Sequence, residues 1–150
     1  FTVPLGKAEI IKAGTDITVV SYGSTLRLVE EAAEELESFG VSVEVIDVQT
    51  LLPFDMEQLC AKSLEKTNKL LVVDEDVPGG ASAFILQQIL EVQKGYYLLD
   101  SKPQTLAAKA HRPPYGSDGD YFAKPSVDDI IEIAYAMMNE TNPDRYPKLY

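Results

Sequence analysis

Tryptophan is absent from the 150-residue sequence, and cysteine and histidine occur once each. The single cysteine, Cys60, cannot form an intramolecular disulfide, which excludes the disulfide framework of small secreted domains. One cysteine and one histidine also cannot supply a cysteine-rich metal site. We therefore expect an intracellular protein and assign it to the cytoplasm.

Long apolar runs are missing as well. The longest, such as those at residues 17–20 and 69–73, are far shorter than the roughly 20 residues that a membrane-spanning helix needs. The chain also does not open with the charged and apolar regions of a signal peptide. The sequence therefore predicts no membrane contact.

Basic residues are scarce. Lys and Arg together number 13, Asp and Glu number 24, and the formal net charge is −11. Proteins that bind nucleic acid need clustered cations, so no nucleic-acid partner is expected. The 45% hydrophobic and 25% charged composition is typical of a globular protein, and the length suits one compact domain.

Proline and glycine punctuate the first six residues, Phe1 to Gly6, as in an inter-domain linker. We therefore expect this chain to be a piece of a longer polypeptide; the alternative is a trimmed or processed N-terminus. The expected organisation is a linker and edge strand at 1–13, one domain at 14–139 and a C-terminal tail at 140–150. Two prolines lie in the tail, and its order is expected to depend on a partner.

Five segments have the β-branched or apolar character of strands, and they alternate with helical segments. Short connections between them predict a parallel sheet that is covered by helices on both faces. The predicted strands are residues 7–13, 17–22, 41–46, 69–74 and 105–109.

Capping residues predict where the first two helices begin and end. Ser24 is the expected N-cap of the first helix, which stops at Gly40, a residue type that accepts a left-handed C-terminal cap. Asp55 is the expected N-cap of the second helix, and Gln58 completes a capping box three residues later. Both helix starts are therefore placed directly after a strand and a short loop.

Two further helices complete the predicted domain. The third places Ile85, Ile89 and Val92 on one face and is expected to end at Gly95. The last is expected to run from residue 126 to residue 138. Both have the apolar spacing of helices that pack on a sheet.

Ligands of open α/β sheets bind beyond the carboxyl ends of the strands, so the loops at 22–24 and 74–80 are the first candidates for a site. Gly23 and Ser24, and likewise Gly79 and Gly80, could offer backbone N–H groups to an anion. The neighbouring carboxylates at 74–76 would repel a phosphate unless a metal intervened. The favoured alternative is a set of turn glycines beside a solvated acidic loop.

The usual signatures of catalytic and metal sites are absent. No GxGxxG and no P-loop lysine follows a predicted strand. His111 precedes a proline-rich loop at 112–121 and has no readable nucleophile, so it is not predicted to be catalytic. Residues 116–120 superficially offer carboxylates, but Ala123 and Asp129 stand where an EF-hand needs Gly and Glu. We therefore predict no catalytic, cofactor-binding or metal-binding residue in this chain.

The first helix carries like-charged pairs one turn apart, Glu30 with Glu34 and Glu31 with Glu35. Each such pair costs roughly 0.2–0.5 kcal/mol, and only Arg27 opposes them. A solvated face is the favoured interpretation, and a docking surface for a basic partner is the alternative. The candidate docking or anion-binding residues are thus Gly23, Ser24, Glu30, Glu31, Glu34, Glu35, Asp74, Glu75, Gly79 and Gly80.

Several stretches together resemble a known family: residues 45–55 (VIDVQTLLPFD), residues 71–75 (LVVDE), Gly79-Gly80 and the opening at 3–8. The chain resembles the C-terminal domain of the transketolase family. More narrowly, it resembles the end of the beta subunit of the thiamine-dependent 2-oxo acid dehydrogenases. The similarity extends over nearly the whole chain, up to about Asn139.

The resemblance implies a three-layer αβα sandwich. Its five-stranded, mostly parallel sheet has the order 1-3-2-4-5, with strand 1 antiparallel. The parent enzyme would oxidatively decarboxylate pyruvate or a branched-chain 2-oxo acid on thiamine diphosphate with magnesium, and pass the acyl group to a lipoyl acyltransferase. Other domains hold that cofactor in the family, so this piece alone is expected to be inactive.

The role that the resemblance implies for this domain is assembly. It would contribute to the contact between beta subunits and would dock the subunit-binding domain of the lipoyl acyltransferase. That partner is typically basic, so the net charge of −11 would favour the encounter.

Some residues depart from the family pattern. Gln49 stands where the family often has Arg, and Asp74 replaces a common His before Glu75. Phe84 occupies a position often held by Glu, which predicts a more apolar contact there. The loop at 111–121 also differs from the common beta-subunit version. This difference points to a divergent branch of the family, for example one in which the alpha and beta parts are fused.

Two other functions stay open at this point. One is the C-terminal domain of a different transketolase-like enzyme, such as transketolase itself or a deoxyxylulose-phosphate synthase. The other is a standalone anion- or nucleotide-binding regulatory module that uses the helix N-termini at Ser24 and Gly80.

Overall fold

The computed structural model describes residues 2–109 and 124–149. In this part of the chain, five strands form one sheet: β1 (Glu9–Lys12), β2 (Ile17–Ser21), β3 (Val43–Asp47), β4 (Leu70–Val73) and β5 (Gln104–Leu106). The helices are α1 (Thr25–Ser38), α2 (Leu59–Thr67), α3 (Ala81–Gln87) and α4 (Val127–Thr141). A π-helix (Gln88–Val92) and a 3-10 helix (Gly95–Leu98) follow α3.

The sheet has the strand order β1-β3-β2-β4-β5. β1 pairs antiparallel with β3, and the other neighbouring strands are parallel. β2 and β4 are buried at every residue, because strands inside a parallel sheet are covered on both faces. The predicted strand order and the antiparallel direction of strand 1 are confirmed.

Helices cover both faces of the sheet, so the molecule has three layers. Along β2, Val19 faces the apolar cluster under α1 and α4, and Val20 faces the cluster under α2 and α3. This alternation follows from the two-residue period of a strand. The predicted αβα sandwich is therefore confirmed.

The turn before β2 is fixed closely against β3. Asp16 Oδ2 accepts a hydrogen bond of 2.7 Å from the Ser42 N–H, and the Thr15 N–H donates to Ser42 Oγ at 3.1 Å. A Cβ added to Gly14 would lie under 3.0 Å from backbone atoms of Val43 and Glu44. Only glycine fits between this turn and β3.

Glu44 of β3 is a buried carboxylate. Ser63 Oγ donates to Glu44 Oε2, and Lys66 Nζ lies 2.6 Å from Oε1. Ser63 also shares a hydrogen bond of 2.6 Å with Thr18 of β2. α2 is thus joined to the sheet by polar contacts as well as by apolar packing.

The predicted helix boundaries are partly correct. Gly40 has φ +81° and the Val41 N–H donates to the Leu36 carbonyl, as in a left-handed C-terminal cap, so the predicted end of α1 is confirmed. Ser24 holds the predicted N-cap position of α1, but it has helical φ and ψ and its side chain makes no capping hydrogen bond. The capping box at the start of α4 links Ser126 and Asp129.

The predicted start of α2 is wrong in register. The helix begins at Leu59, and Gln58 has left-handed φ and ψ with no capping side chain. Asp55 still acts on the helix from outside it, because its carboxylate accepts hydrogen bonds from the N–H groups of Leu59 and Cys60 at 2.9 and 2.8 Å. The expected reciprocal box with Gln58 does not form.

The third helix also departs from prediction. Ile85 and Ile89 are buried as expected, but Val92 is exposed. The helix widens to a π-helix at Gln88–Val92, which rotates the later side chains away from the buried face. Gly95 does not end this helix and instead begins the 3-10 helix.

The C-terminal residues pack on α4. Tyr146 is buried, the Tyr135 hydroxyl donates to the Pro147 carbonyl at 2.7 Å, and Asn139 Nδ2 donates to the Tyr146 carbonyl at 2.7 Å. The expectation that this segment is ordered by a partner is therefore wrong for residues up to 149, which contact the domain itself. His111, the loop at 112–121 and the carboxylates at 116–120 lie outside the described residues.

In residues 2–109 and 124–149, no helix combines the length and the apolar character that a bilayer crossing requires.

Candidate functional site

Asp74 lies at the carboxyl end of β4 and is completely buried. Its Oδ1 accepts hydrogen bonds from the Tyr22 hydroxyl at 2.7 Å and from the Asp76 N–H at 3.1 Å. Its Oδ2 accepts one of 2.9 Å from the Ser82 N–H in the first turn of α3. One carboxylate thus joins the ends of β2 and β4 to the start of α3.

The second candidate loop meets the first through Glu75. Ser24 Oγ donates to Glu75 Oε2 at 3.0 Å, and Lys124 Nζ lies 4.0 Å from the same oxygen. Gly23 has φ +64°, so glycine fits the turn there. The structure therefore brings together Gly23, Ser24, Asp74 and Glu75 from two parts of the sequence.

Gly79 and Gly80 close the acidic loop. Gly79 has φ +89°, and a Cβ on Gly80 would overlap the Asp76 carboxylate. The Gly80 N–H donates to the Val77 carbonyl at 3.0 Å. Both glycines are thus explained by the turn that they form.

Both oxygens of the Asp74 carboxylate and the Ser82 N–H are already used within the protein. A phosphate approaching α3 would meet the Asp74 carboxylate at the Ser82 N–H, and a divalent cation would compete with three hydrogen bonds to Asp74. No group of three or more His, Cys, Asp or Glu side chains in the described residues is placed to hold a metal ion. Residues 74–80 therefore do not fit the phosphates or the magnesium of thiamine diphosphate.

Burial and the hydrogen bond to Asp74 raise the pKa of the Tyr22 hydroxyl well above its ordinary value, and the charges of Asp74, Asp76 and Glu75 act in the same direction. Tyr22 therefore remains a hydrogen-bond donor at neutral pH.

This shift predicts a loss of stability in alkaline solution. Above about pH 10 the unfolded chain releases the tyrosine proton while the folded protein retains it, so stability falls as pH rises through the raised pKa. Tyr22→Phe should make this decline less steep and should cost about 1 kcal/mol at pH 7 through the lost hydrogen bond. Urea unfolding between pH 7 and pH 11.5 measures both effects; equal alkaline slopes for variant and wild type would contradict the assignment.

The four glutamates of α1 form a separate surface. Val29, Ala33 and Leu36 are buried against the sheet, which turns the opposite side of the helix to solvent. Along the described parts of the chain, ion pairs within 4.0 Å include Glu37 with Lys12 but none of these four glutamates. This surface, which we call the acidic face, consists of Glu30, Glu31, Glu34 and Glu35, all exposed.

The acidic face begins about two turns of α1 beyond the loop cluster. Glu75 contacts Ser24 just before the first turn of α1, whereas Glu30 and Glu35 lie roughly 9 and 16 Å further along the helix. The ten candidate residues therefore comprise a loop cluster hydrogen-bonded around the buried Asp74 and an exposed charged helix face.

Sequence reasoning missed the loop between β3 and α2, residues 48–58. Three of its non-glycine residues have positive φ: Gln49 at 62°, Asp55 at 33° and Gln58 at 56°. Asp55 is buried, and Gln93 Nε2 donates to its carboxylate at 3.0 Å. Neither composition nor residue spacing predicts three positive φ angles in this loop, because Asp and Gln are also ordinary residues at helix starts.

Two of the residues that depart from the family pattern have clear contacts. The rings of Phe84 and Phe54 pack edge to face with centroids 6.2 Å apart, which confirms the predicted apolar contact. Gln49 Nε2 donates to Glu9 Oε2 at 2.9 Å, so it ties the loop to β1.

Comparison with known families assigns the chain. The family described as "Transketolase, C-terminal domain" matches residues 6–130. The chain belongs to this family. The resemblance noted from residues 45–55 and 71–75 is thereby confirmed.

Curated relatives of this family member include dehydrogenase subunits. It is 40% identical over 104 residues to the "Pyruvate dehydrogenase E1 component subunit beta" of Acholeplasma laidlawii, covering 69% of this chain and 31% of that protein. It is 32% identical over 140 residues to the "Acetoin:2,6-dichlorophenolindophenol oxidoreductase subunit beta" of Bacillus subtilis (strain 168), covering 93% of this chain and 40% of that protein. This transketolase C-terminal domain therefore spans less than half the length of these two relatives.

A solved structure has the same fold. The "Split gene transketolase, inactive beta4 tetramer" superposes with a TM-score of 0.71 at 22% identity, covering 88% of this chain and 41% of that chain. The likeness supports the transketolase C-terminal architecture of the sheet and its helices.

Proposed function

We propose that this chain is the C-terminal assembly domain of a thiamine-diphosphate-dependent 2-oxo acid dehydrogenase. The whole enzyme would oxidatively decarboxylate pyruvate or a branched-chain 2-oxo acid and transfer the acyl group to a lipoyl acyltransferase in the cytoplasm. The observation that carries the proposal is the exposed acidic face of α1 on a chain similar to dehydrogenase beta subunits. A surface of one charge sign favours a partner of the opposite sign.

Thiamine diphosphate and magnesium belong, in this proposal, to other parts of the enzyme. When bound, thiamine diphosphate would supply the nucleophilic and electron-accepting chemistry of the decarboxylation. In this proposal Asp74 contributes no proton transfer to that step, because its carboxylate is buried and accepts hydrogen bonds from Tyr22 and Ser82. The isolated chain is accordingly proposed to be inactive.

The acidic face is the proposed docking surface for the subunit-binding domain of the lipoyl acyltransferase. Four carboxylates lie within two turns of one helix, and no cation of the described residues pairs with them. A basic partner would relieve their mutual repulsion and would associate faster at low salt. The closed cluster at Asp74 would position the first turn of α1, and with it this surface.

Charge reversal tests the docking surface. In the dehydrogenase component that contains this chain, Glu31→Lys with Glu35→Lys should weaken binding of the acyltransferase subunit-binding domain about tenfold, as expected for two rim charges of roughly 0.5–1 kcal/mol each. The salt dependence of the affinity should also flatten. Titration calorimetry at 50, 100 and 200 mM salt measures both.

The matched control is Glu65→Lys with Glu91→Lys, which changes net charge equally at exposed positions of α2 and the π-helix. These changes should alter the affinity less than twofold, because the effect depends on where the charge lies. Equal weakening by both pairs would mean that only net charge matters. Unchanged affinity for the α1 pair would contradict the docking surface.

The anion-binding regulatory module is the weaker candidate. Its backbone donors near Gly80 and Ser82 already bond to Val77 and Asp74. A different transketolase-like parent remains the nearer alternative, and the acetoin oxidoreductase relative leaves the substrate of the whole enzyme open.

A further inference from the structure

A cleft of about 330 Å³ lies at the edge of the sheet where the parallel strands begin, opposite the edge that holds Asp74. Asp16, directly before β2, and Lys69, directly before β4, line it. The ends of α2 and α4 and the C-terminal residues Arg145 and Tyr146 also contribute to its wall. This volume is at the lower end of the range for ligand pockets, so the cleft has room for a small metabolite.

The two lysines in the wall of the cleft already have partners. Lys66 Nζ lies 2.6 Å from Glu44 Oε1, and Lys69 Nζ donates to the two oxygens of Asp100 at 2.9 and 2.8 Å. Each of these pairs is neutral overall. The charge that a ligand would meet in the cleft therefore comes from other residues.

Asp16 and Arg145 are the charged side chains of the wall that form no ion pair within the described residues. The Asp16 carboxylate accepts a hydrogen bond of 2.7 Å from the Ser42 N–H, and the Arg145 guanidinium lies 5.3 Å from the centre of the Tyr146 ring. Opposite charges that share one wall without meeting can both pair with a ligand that carries both signs.

Tyr146 supplies a hydrogen-bond donor that the described residues do not use. Its side chain is 3% exposed, and its hydroxyl has no hydrogen-bond partner among them. Burial raises the pKa of this hydroxyl, the Asp16 charge raises it further, and the Arg145 charge lowers it, so both charged groups act on the same atom. Because a buried donor without an acceptor costs free energy, an acceptor on a ligand would be favoured here.

Access to this hydroxyl depends on Arg145. The Arg145 side chain is exposed, and exposed side chains change rotamer within nanoseconds. Tyr146 is fixed by comparison, since its N–H donates to the Asn142 carbonyl at 3.0 Å and its carbonyl accepts a hydrogen bond of 2.7 Å from Asn139 Nδ2. A ligand can therefore reach the tyrosine when the arginine moves, without any change in the fold.

The ends of α2 and α4 favour a positive group in the cleft. α2 ends at Thr67 and α4 at Thr141, and both residues line the wall. The C-terminal end of a helix carries a partial negative charge, which adds to the charge of Asp16 and attracts an ammonium group. Arg145 instead offers the paired N–H donors that match a carboxylate.

We propose that this cleft binds a small zwitterion of the amino-acid class, with its ammonium group at Asp16 and its carboxylate at Arg145 and the Tyr146 hydroxyl. Asp16 and the two helix ends would repel a simple anion, and Arg145 would repel a simple cation. The site shares no residue with the acidic face or with the Asp74 cluster. It does not depend on the proposed function, and the failure of either leaves the other standing.

Titration calorimetry with three matched ligands tests the site in the intact protein that contains this chain. The ligands are L-alanine, propionate, which lacks the ammonium group, and ethylamine, which lacks the carboxylate. L-alanine should bind at least about tenfold more tightly than either of the other two, because each of them leaves one charged group of the cleft without its partner.

Two substitutions locate the binding. Arg145→Ala and Asp16→Asn should each weaken L-alanine binding at least about tenfold. Asn keeps a carbonyl acceptor for the Ser42 N–H, so the turn before β2 is retained. The matched control is Lys148→Ala, which removes an exposed cation from the same C-terminal segment but outside the cleft, and it should change the affinity less than about twofold.

Four results would overturn the site: propionate or ethylamine that binds as tightly as L-alanine, no binding of L-alanine up to about 50 mM, L-alanine binding that Arg145→Ala leaves unchanged, or equal weakening by Lys148→Ala. The third result would mean that L-alanine binds elsewhere in the protein. Should Asp16→Asn fail to fold, Arg145→Ala still decides the question, because its side chain is exposed and its backbone N–H keeps the hydrogen bond to Asn142 Oδ1.

Discussion

Gly14→Ala is expected to prevent stable folding. The added Cβ would lie under 3.0 Å from backbone atoms of Val43 and Glu44, and a backbone contact in β3 cannot be relieved by rotating a side chain. β3 pairs on both sides, with β1 and β2, so a shift would disturb two ladders. The expected loss exceeds about 4 kcal/mol, a large part of the roughly 5–15 kcal/mol by which an ordinary domain is stable.

The matched control is Gly40→Ala. Gly40 also lies in a turn, but space is open around it, and its φ of +81° adds only backbone strain of about 1–2 kcal/mol. Urea unfolding followed by circular dichroism compares the two variants. A Gly14→Ala midpoint as high as that of Gly40→Ala would show that the turn before β2 can move away from β3.

Asp55→Ala is expected to be the second most damaging change. It removes the acceptor for the Leu59 and Cys60 N–H groups and for Gln93 Nε2, all of which lie in or next to the interior. Hydrogen bonds to a carboxylate contribute roughly 1.5–3 kcal/mol each, and their loss leaves buried donors unsatisfied. We expect a loss of about 3–5 kcal/mol together with faster hydrogen exchange at the first turn of α2.

Asp55→Asn separates the hydrogen bonds from the backbone conformation. Asn tolerates positive φ and keeps one carbonyl acceptor, so the expected loss is about half of that for Ala. Thermal and urea unfolding of both variants provide the comparison. Equal losses for Asn and Ala would mean that the carboxylate charge, rather than the number of acceptors, stabilises the loop.

The central sheet could be predicted because its strands are short apolar runs. Residues 17–20 and 70–73 have no polar alternation, as expected for parallel strands buried on both faces. The end of α1 at Gly40 could also be predicted, because the left-handed residue after a helix is usually glycine. In each case one local rule and the tertiary structure favour the same conformation.

Asp55 and Glu44 could not be predicted, because their roles depend on residues far away in the chain. Asp55 has the sequence context of an N-cap, but Gln93, 38 positions later, completes its hydrogen bonds inside the protein. Glu44 is buried because Ser63 and Lys66 of α2 neutralise and satisfy it. Local capping and alternation rules describe neither partner.

For the candidate site, the sequence predicts the negative charge of α1. It does not predict that Glu30, Glu31, Glu34 and Glu35 form no ion pair within the described residues. Asp74 and Ser24 were placed at the correct loops, since strand ends identify them. Their hydrogen-bond partners could not be predicted from the sequence. Asp74 bonds to Tyr22 and Ser82, and Ser24 bonds to Glu75, so the partners come from three separate parts of the chain.

The burial of Tyr146 shows that the folded domain extends beyond the end of the family match. The family match ends at residue 130, only four residues into α4, whereas the core includes Ala134, Met137 and Tyr146. A polypeptide cut at the family boundary would lose the part of α4 that packs beside α1 in this core. The smallest autonomous piece of this architecture is therefore longer than the stretch that the family match covers.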